Sequence, residues 1–119
     1  TPLDSRAIHF NTRHRAAVDQ ASDNGKLAFS PKWPTSGENA TAGLLVRESE
    51  DGRWVTGIAW DDFLAVQGHN PWNCLHAGVR VGPLQPGESR TVRGRLYLFR
   101  GTKQDCVGRF RRDFPDQFP

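Results

Sequence analysis

The sequence predicts an all-β domain, an antiparallel β-sandwich or jelly-roll of roughly seven to nine short strands with one short C-terminal helix. Twelve glycines and eight prolines among 119 residues imply many turns, and many turns imply short strands. Several short runs alternate between apolar and polar residues, which is the period of a half-buried strand. A helix start signal occurs near the C-terminus. We therefore expect a single domain over residues 1–119.

The first third of the chain is predicted to be mostly irregular. Residues 6–10 form a candidate short strand. Asn11 or Thr12 can begin a brief helical segment over residues 13–19, because both side chains are good helix N-caps. Residues 31–42 are rich in turn-forming residues, so we expect a loop there.

Two alternating runs, residues 43–47 and 54–60, flank a polar turn. The turn contains Asp51 and Gly52, which tolerate the positive φ that tight hairpins need, so we expect a hairpin. Successive side chains of its second strand point to opposite faces. One face carries bulky residues: Trp54, Thr56, Ile58 and Trp60. The other face carries smaller residues: Val55, Gly57 and Ala59. This pattern predicts a strand that is covered on both sides.

A second hairpin is predicted where residues 76–81 and 89–99 flank the Pro- and Gly-rich turn 82–88. The second of these runs has two different faces. One face is predicted to be core: Val92, Gly94, Leu96 and Leu98. The other forms a stripe that runs from basic to aromatic: Arg93, Arg95, Tyr97 and Phe99.

The C-terminal segment has the signature of a helix. Thr102 is the predicted N-cap, and Asp105 follows three residues later, as in a capping box. Apolar residues then recur at helical spacing on one side: Cys106, Val107, Phe110 and Phe114. Pro115 is expected to end the helix, which would cover one edge of the sheets.

Composition and charge narrow the class of protein. The formal charge is only +3, with no concentrated basic run, which does not favour nucleic acid as a partner. No apolar run approaches 18 residues, so we expect no membrane span. The absence of Met and the abundance of Trp, Asn and Gly fit a secreted protein. Any secretion signal is expected to have been removed from, or left out of, this chain.

Cys74 and Cys106 are the only cysteines, and they lack the CxxC spacing of a zinc ribbon. Two interpretations remain open at this stage. The residues are either two buried thiols or one disulfide that joins the middle of the chain to its C-terminal segment.

Four histidines are candidate metal ligands: His9, His14, His69 and His76. Their spacing matches no HxH, HxxxH or HExxH motif. In a β-sandwich, ligands can nevertheless converge from separate strands and hold a transition metal. The alternative is that these are ordinary surface or hydrogen-bonded histidines.

Carboxylates offer two further candidates. Glu48, Glu50 and Asp51 crowd one turn, which makes calcium an alternative cofactor. Asp61 and Asp62 follow a strand, but adjacent residues on a strand point in opposite directions. They are therefore a poor pair for glycosidase chemistry, which needs two carboxyl groups about 5–9.5 Å apart.

Aromatic and basic residues suggest carbohydrate recognition. Trp33 and Trp72 lie in predicted loops, where they are either packed on the domain or held out as stacking platforms. Arg93, Arg95 and Tyr97 belong to the predicted stripe. Aromatic faces stack on sugar rings, and arginine forks bind hydroxyls, carboxylates or sulfates. The alternative for the stripe is an ordinary solvated sheet face.

Residues 68–76 and 82–88, with their Asn-Pro-Trp and Pro-Gly-Glu sequences, carry a family resemblance. Over residues 40–114 the chain resembles the C-terminal β-sandwich segments of larger secreted bacterial proteins linked to polysaccharide processing, of the mutarotase-like or lyase-associated kind. The resemblance implies a sandwich fold and a polysaccharide partner, and it carries over no catalytic residue. The H-x-H pattern of cupins is absent.

These observations predict a secreted carbohydrate-binding or accessory domain that acts non-catalytically on a polysaccharide or oligosaccharide, without a cofactor. One alternative is a compact enzyme in which the histidines hold a transition metal and a polysaccharide is the substrate. A second alternative is a structural piece of a longer enzyme, which would expose an apolar patch.

Overall fold

The computed structural model describes residues 7–23, 35–68 and 74–117. The described chain contains six strands and two α-helices. The strands form two antiparallel sheets of three strands each, in the orders β1-β4-β5 and β2-β3-β6. In chain order the elements are β1 (His9–Phe10), α1 (Arg15–Asp23), β2 (Leu44–Glu48), β3 (Trp54–Trp60), β4 (Phe63–Gln67), β5 (His76–Val79), β6 (Gly94–Arg100) and α2 (Lys103–Asp113).

The strand-rich antiparallel architecture and the C-terminal helix are confirmed. The structure also contains a helix near the N-terminus, α1. It covers Arg15–Asp23, where the sequence predicted a brief helical segment over residues 13–19. A short 3-10 helix, Thr12–His14, precedes it, and its N-cap is Asn11, whose side chain accepts a hydrogen bond from the backbone N–H of Arg13. The helix ends at Asp23, four residues beyond the end of the predicted segment.

The hairpin of β2 and β3 is confirmed. It supplies two of the three strands of the β2-β3-β6 sheet, which has the longer strands and is called the large sheet below; the β1-β4-β5 sheet is called the small sheet. Its turn uses a positive φ of 69° at Gly52. The Asp51 carboxylate accepts hydrogen bonds from the Ser49 hydroxyl at 2.6 Å and from the Arg53 backbone N–H at 3.1 Å. The remaining strand, β6, continues the ladder of β3 in unbroken antiparallel register.

Helix α2 covers one face of the large sheet and builds the main core. The predicted capping box is confirmed, because Thr102 and Asp105 exchange both of its hydrogen bonds. The buried residues of this core come from β3, β6, α2 and the residue after α2: Val55, Ala59, Tyr97, Cys106, Phe110 and Phe114. The helix therefore lies where the small side chains of β3 leave room for it.

A second, smaller core contains residues of both sheets. Ala40, Phe63 and Val66 are buried there, with Leu45 and Trp60 packed against them. The indole N–H of Trp60 in β3 donates to the backbone carbonyl of Ala77 in β5 at 3.0 Å. The two sheets are thus in contact at one end of β3.

The predicted hairpin over residues 76–99 is wrong. Strand β5 pairs with β4, whereas β6 pairs with β3 in the other sheet. A tight turn does occur at residues 85–88, where the Glu88 N–H donates to the Gln85 carbonyl at 3.0 Å and Gly87 has a φ of 85°. The turn reverses the chain locally, but the 14 residues between β5 and β6 (80–93) lead to a different sheet.

The prediction for the two faces of β6 is also wrong. Tyr97 is 5% exposed and belongs to the core, whereas Leu96 and Leu98 are 79% and 72% exposed. The reason is the position of α2, which packs on the face of the sheet that carries Tyr97. The bulky face of β3 is likewise not covered along its whole length, since Trp54 remains 41% exposed.

The cysteines are free thiols, so the disulfide alternative is not realised in this structure. Cys106 belongs to α2 and is buried against the large sheet, while Cys74 lies two residues before the start of β5. No helix in the described ranges is long and apolar enough to cross a membrane.

Candidate functional site

The chain crosses from the large sheet to the small sheet at Asp61 and Asp62, between β3 and β4. This corner holds both ends of the long connection between β5 and β6. The Arg80 N–H donates to the Asp62 carbonyl at 2.9 Å, and the Asp61 N–H donates to the Arg93 carbonyl at 2.9 Å. Two adjacent aspartates therefore anchor residues that are far apart in the sequence.

The Asp61 side chain fixes Arg93. Its Oδ1 accepts from the Arg93 backbone N–H at 2.9 Å, and its Oδ2 lies 3.3 Å from the Arg93 Nε. The guanidinium carbon also lies 5.7 Å from the centre of the Phe114 ring. The Arg93 head group is thus held between a carboxylate and an aromatic face, although most of it remains in solvent.

The Asp62 side chain fixes His14, which ends the 3-10 helix before α1. The His14 Nε2 donates to the Asp62 Oδ1 at 2.7 Å. The two adjacent carboxylates have different partners. One orients an arginine, and the other orients an imidazole.

An open cleft lies at this corner. It consists of two adjoining cavities of about 350 and 260 Å³. Both are lined by four residues from three separate segments: Arg13, Asp61, Asp116 and Gln117. The first also includes Asn11, Thr12, Thr41 and Phe63, and the second includes Asp62, Thr91, Arg93 and Phe114.

Gln117 ties the C-terminal wall of the cleft to the sheets. Its Nε2 donates to the Trp60 carbonyl at 2.9 Å, and its Oε1 accepts from the Gly43 N–H at 2.7 Å. A Cβ at Gly43 would lie 2.5 Å from the Phe63 ring, so the chain passes there only because residue 43 has no side chain. The wall is therefore fixed by direct hydrogen bonds.

Arg13 and Asp116 are the charged cleft residues with uncommitted side chains. Within the described ranges, neither takes part in a side-chain hydrogen bond or an ion pair, and both are exposed. The cleft therefore presents one cation and one carboxylate to solvent beside the fixed Arg93 and Gln117. Such an arrangement offers both donors and acceptors to a polar ligand.

The residues of the predicted stripe do not form one open surface. Arg93 lines the cleft, whereas Arg95 is not among the cleft residues and bonds to Asp113 at 3.1 Å. The Tyr97 hydroxyl donates to the same Asp113 carboxylate at 2.7 Å. Burial, reinforced by that carboxylate, raises the pKa of Tyr97 above its ordinary value. A tyrosine that is buried under α2 cannot stack on a sugar, so this part of the prediction is wrong. Trp33 and Trp72 lie outside the described residues.

The described histidines do not converge. His9 pairs with Val66 and His76 pairs with Gln67 in the small sheet. Paired residues share a face and neighbours alternate, so His9 and His76 point to opposite faces. His9 Nδ1 lies 3.0 Å from the Glu38 carbonyl oxygen. His69 is outside the described residues, and the described ones contain no group of three or more potential ligands placed to hold a metal ion.

Most of the cleft has no signal in the sequence. Asp61 and Asp62 are predicted only to be a poor catalytic pair, and no pattern assigns a role to Arg13, Asp116 or Gln117. A local signal existed only at the aspartates, where two acids follow a strand. The remaining residues are brought together by tertiary contacts that no spacing in the sequence indicates.

Comparisons of this chain with models of protein families, with curated proteins and with solved structures gave no significant match.

Proposed function

We propose that this chain is a carbohydrate-binding domain that binds a polysaccharide non-catalytically through the cleft at the Asp61–Asp62 corner. One observation carries the proposal: the cleft is open, and it displays guanidinium, carboxylate and amide groups that are partly fixed in place. Sugar hydroxyls are donors and acceptors at once, so they match such a mixed surface.

Preorganisation supports binding at this site. Arg93 is held by Asp61 and Phe114, and Gln117 is held by two backbone groups. Side chains that are already ordered lose less conformational entropy when a ligand binds. Arg13 and Asp116 then supply contacts that are free to adjust to a particular sugar.

The charges in the cleft favour a neutral glycan. Arg13 and Arg93 are accompanied by the carboxylates of Asp61, Asp62 and Asp116. Arg93 is already paired with Asp61, so little positive charge is left over for an acidic polymer. Hydroxyl groups, which need no net charge, remain the best ligands.

The non-catalytic assignment rests on how the carboxylates are used. Asp61 and Asp62 are occupied by Arg93 and His14. Hydrolysis of a glycoside needs a carboxyl group that donates a proton and a second one that acts as base or nucleophile. Among the described residues that line the cleft, Asp116 is the one carboxylate without a partner.

The setting that we propose follows the resemblance of residues 40–114. The domain would act outside the cell as an accessory part of a larger polysaccharide-processing protein. We also propose that the two sheets belong to a β-sandwich. The contact from Trp60 to Ala77, which joins the sheets at one end, supports this arrangement.

A second candidate function is a histidine-dependent enzyme that acts on a polysaccharide. The observation that favours it is the 2.7 Å contact between His14 and Asp62 at the cleft wall. A carboxylate that orients an imidazole is typical both of metal-ligating histidines and of histidines that act as general bases.

Affinity electrophoresis on a panel of neutral and acidic polysaccharides tests the proposal. We expect retardation by a neutral polymer that is weakened by Arg13→Ala and by Asp116→Ala. The matched controls are Arg53→Ala and Glu50→Ala, which remove exposed charges from the β2–β3 turn. The proposal would be contradicted if all four variants were retarded equally, or if no polymer retarded the wild type.

A measurement of the reducing ends released from the polymer that retards the protein distinguishes the binding domain from the enzyme. The binding domain leaves the polymer intact. Cleavage that disappears in His14→Ala would establish the enzyme instead.

A further inference from the structure

Strand β6 is an edge strand with an exposed apolar face. It pairs with β3 on one side and with no other described strand on its outer side. Leu96 and Leu98 are more exposed than any other large apolar residue described, and Trp54 is partly exposed on the same face. Ile58 and Trp60 line a shallow cavity beside Leu96 on that face.

Natural edge strands are usually protected against pairing with another chain. They are short, or they carry proline, a bulge or free charges. β6 is seven residues long, contains no proline and follows β3 without a register shift. Its charges are engaged, since Arg95 bonds to Asp113 and the Arg100 guanidinium lies 5.3 Å from the centre of the Trp54 ring.

The direction of the unpaired backbone groups follows from the ladder. The Gly101 N–H donates to the Arg53 carbonyl, and the Asp61 N–H donates to the Arg93 carbonyl. In an antiparallel ladder, alternate residues of a strand bond to the same neighbour. The odd-numbered residues of β6 therefore bond to β3. The N–H and C=O groups that point outward belong to Gly94, Leu96, Leu98 and Arg100.

We propose that β6 pairs antiparallel with β6 of a second copy of this chain. A two-fold axis perpendicular to the sheet at Tyr97 would join the two large sheets into one sheet of six strands. Residues on opposite strands then have numbers that add to 194. Gly94 lies opposite Arg100 of the other copy, and Leu96 lies opposite Leu98.

The register explains why the partner is a second copy. Every outward-facing residue meets another outward-facing residue, which gives about eight inter-chain hydrogen bonds. A shift by two residues in either direction loses about two of them. The four leucines form one cluster on the exposed face, and no arginine lies directly opposite another. Arg100 instead lies opposite Gly94, over which the Trp60 ring of that copy is packed.

Sedimentation velocity of the full chain tests the proposal. The contact is small, so we expect a monomer–dimer equilibrium with a dissociation constant of about 1–100 μM. Leu98→Lys places a charge in the leucine cluster, and Leu98→Pro removes an outward N–H while leaving the ladder with β3 intact. Both are expected to weaken dimerisation at least tenfold.

The matched control is Leu84→Lys, which charges an exposed leucine in the connection before β6. It should dimerise like the wild type. A wild type that stays monomeric throughout this concentration range would overturn the proposal. A dimer that survives both changes at Leu98 would overturn it as well.

Amide hydrogen exchange, measured by NMR at low and high protein concentration, tests the register itself. The Leu96 and Leu98 amides should exchange several-fold more slowly when the protein dimerises. The Tyr97 amide, which bonds to β3, should be protected at both concentrations. Dimers in which the Leu96 and Leu98 amides gain no protection would show face-to-face packing and would refute edge pairing.

Discussion

The Sγ of Cys106 occupies the space into which a side chain on Gly57 would project. A Cβ at Gly57 would lie 2.7 Å from that sulfur and 3.2 Å from the Tyr97 ring. Helix α2 therefore rests directly on the backbone of β3. This contact decides which face of the large sheet is core, and thereby which face of β6 remains exposed.

Gly57→Ala is expected to destabilise the fold by about 1–3 kcal/mol, because the added methyl group overpacks the contact with α2. The free energy of unfolding in urea measures the loss. Gly108→Ala is the control, since a Cβ there meets nothing within 4 Å. It should stabilise α2 by about 0.5–1 kcal/mol. If the two variants were equally stable, the helix would not lie against β3 in this way.

The two thiols should differ in reactivity. Burial raises the pKa of Cys106, and the nearby Arg109 charge opposes that shift only in part. We expect Ellman's reagent to modify about one thiol quickly in the folded protein, and the second only on unfolding. The fast phase should disappear in Cys74→Ala. Protein purified without reductant that yields no thiol even in urea would contain the disulfide and contradict the structure.

The stability of α2 should fall at acid pH, because Asp105 then becomes protonated. The Thr102 backbone N–H and hydroxyl bond to this carboxylate and lower its pKa. The folded state stabilises the charged form of Asp105. This stabilisation is therefore complete above the pKa of Asp105 in the unfolded chain, and it is lost as the pH falls through the lowered pKa of the folded state. When melting temperatures are measured between pH 2 and 7, the fall in melting temperature at acid pH should be smaller in Asp105→Asn than in the wild type. An unchanged profile would mean that the capping box carries no charge-dependent stability.

Tyr97 is the only tyrosine, so its ionisation can be followed directly by absorbance. Burial and the Asp113 carboxylate raise its pKa. Its contribution to stability is therefore complete below its unfolded value of about 10 and is lost as the pH rises further. We expect tyrosinate to appear only as the protein unfolds in base. If Tyr97 titrated reversibly in the folded protein near the ordinary pKa of tyrosine, its hydroxyl would lie in solvent and the burial described here would be contradicted.

The local signals in the sequence were sufficient for some elements. Asp51 and Gly52 predicted the β2–β3 hairpin, and Thr102 with Asp105 predicted the start of α2. Both features depend on a few adjacent residues and their own hydrogen bonds. Their outcome does not depend on the rest of the fold.

The errors arose where tertiary packing decides. The turn near Gly87 is real, but a turn does not specify whether the strands on either side pair with each other. In β6 both faces are apolar in part, so alternation could not tell whether Leu96 or Tyr97 is buried. The cleft joins segments around Arg13, Asp61 and Asp116, and their proximity is a property of the folded chain alone.

Binding of a neutral glycan in the cleft at the Asp61–Asp62 corner can be measured by titrating isotope-labelled protein with cellohexaose, xylohexaose and hexagalacturonic acid and following the backbone amides by NMR. We predict that a neutral hexasaccharide shifts the backbone amides of Asp61, Arg93 and Gln117, and that Arg13→Ala weakens this binding. Shifts confined to residues outside the cleft, or no shifts with any of the three sugars, would contradict the claim.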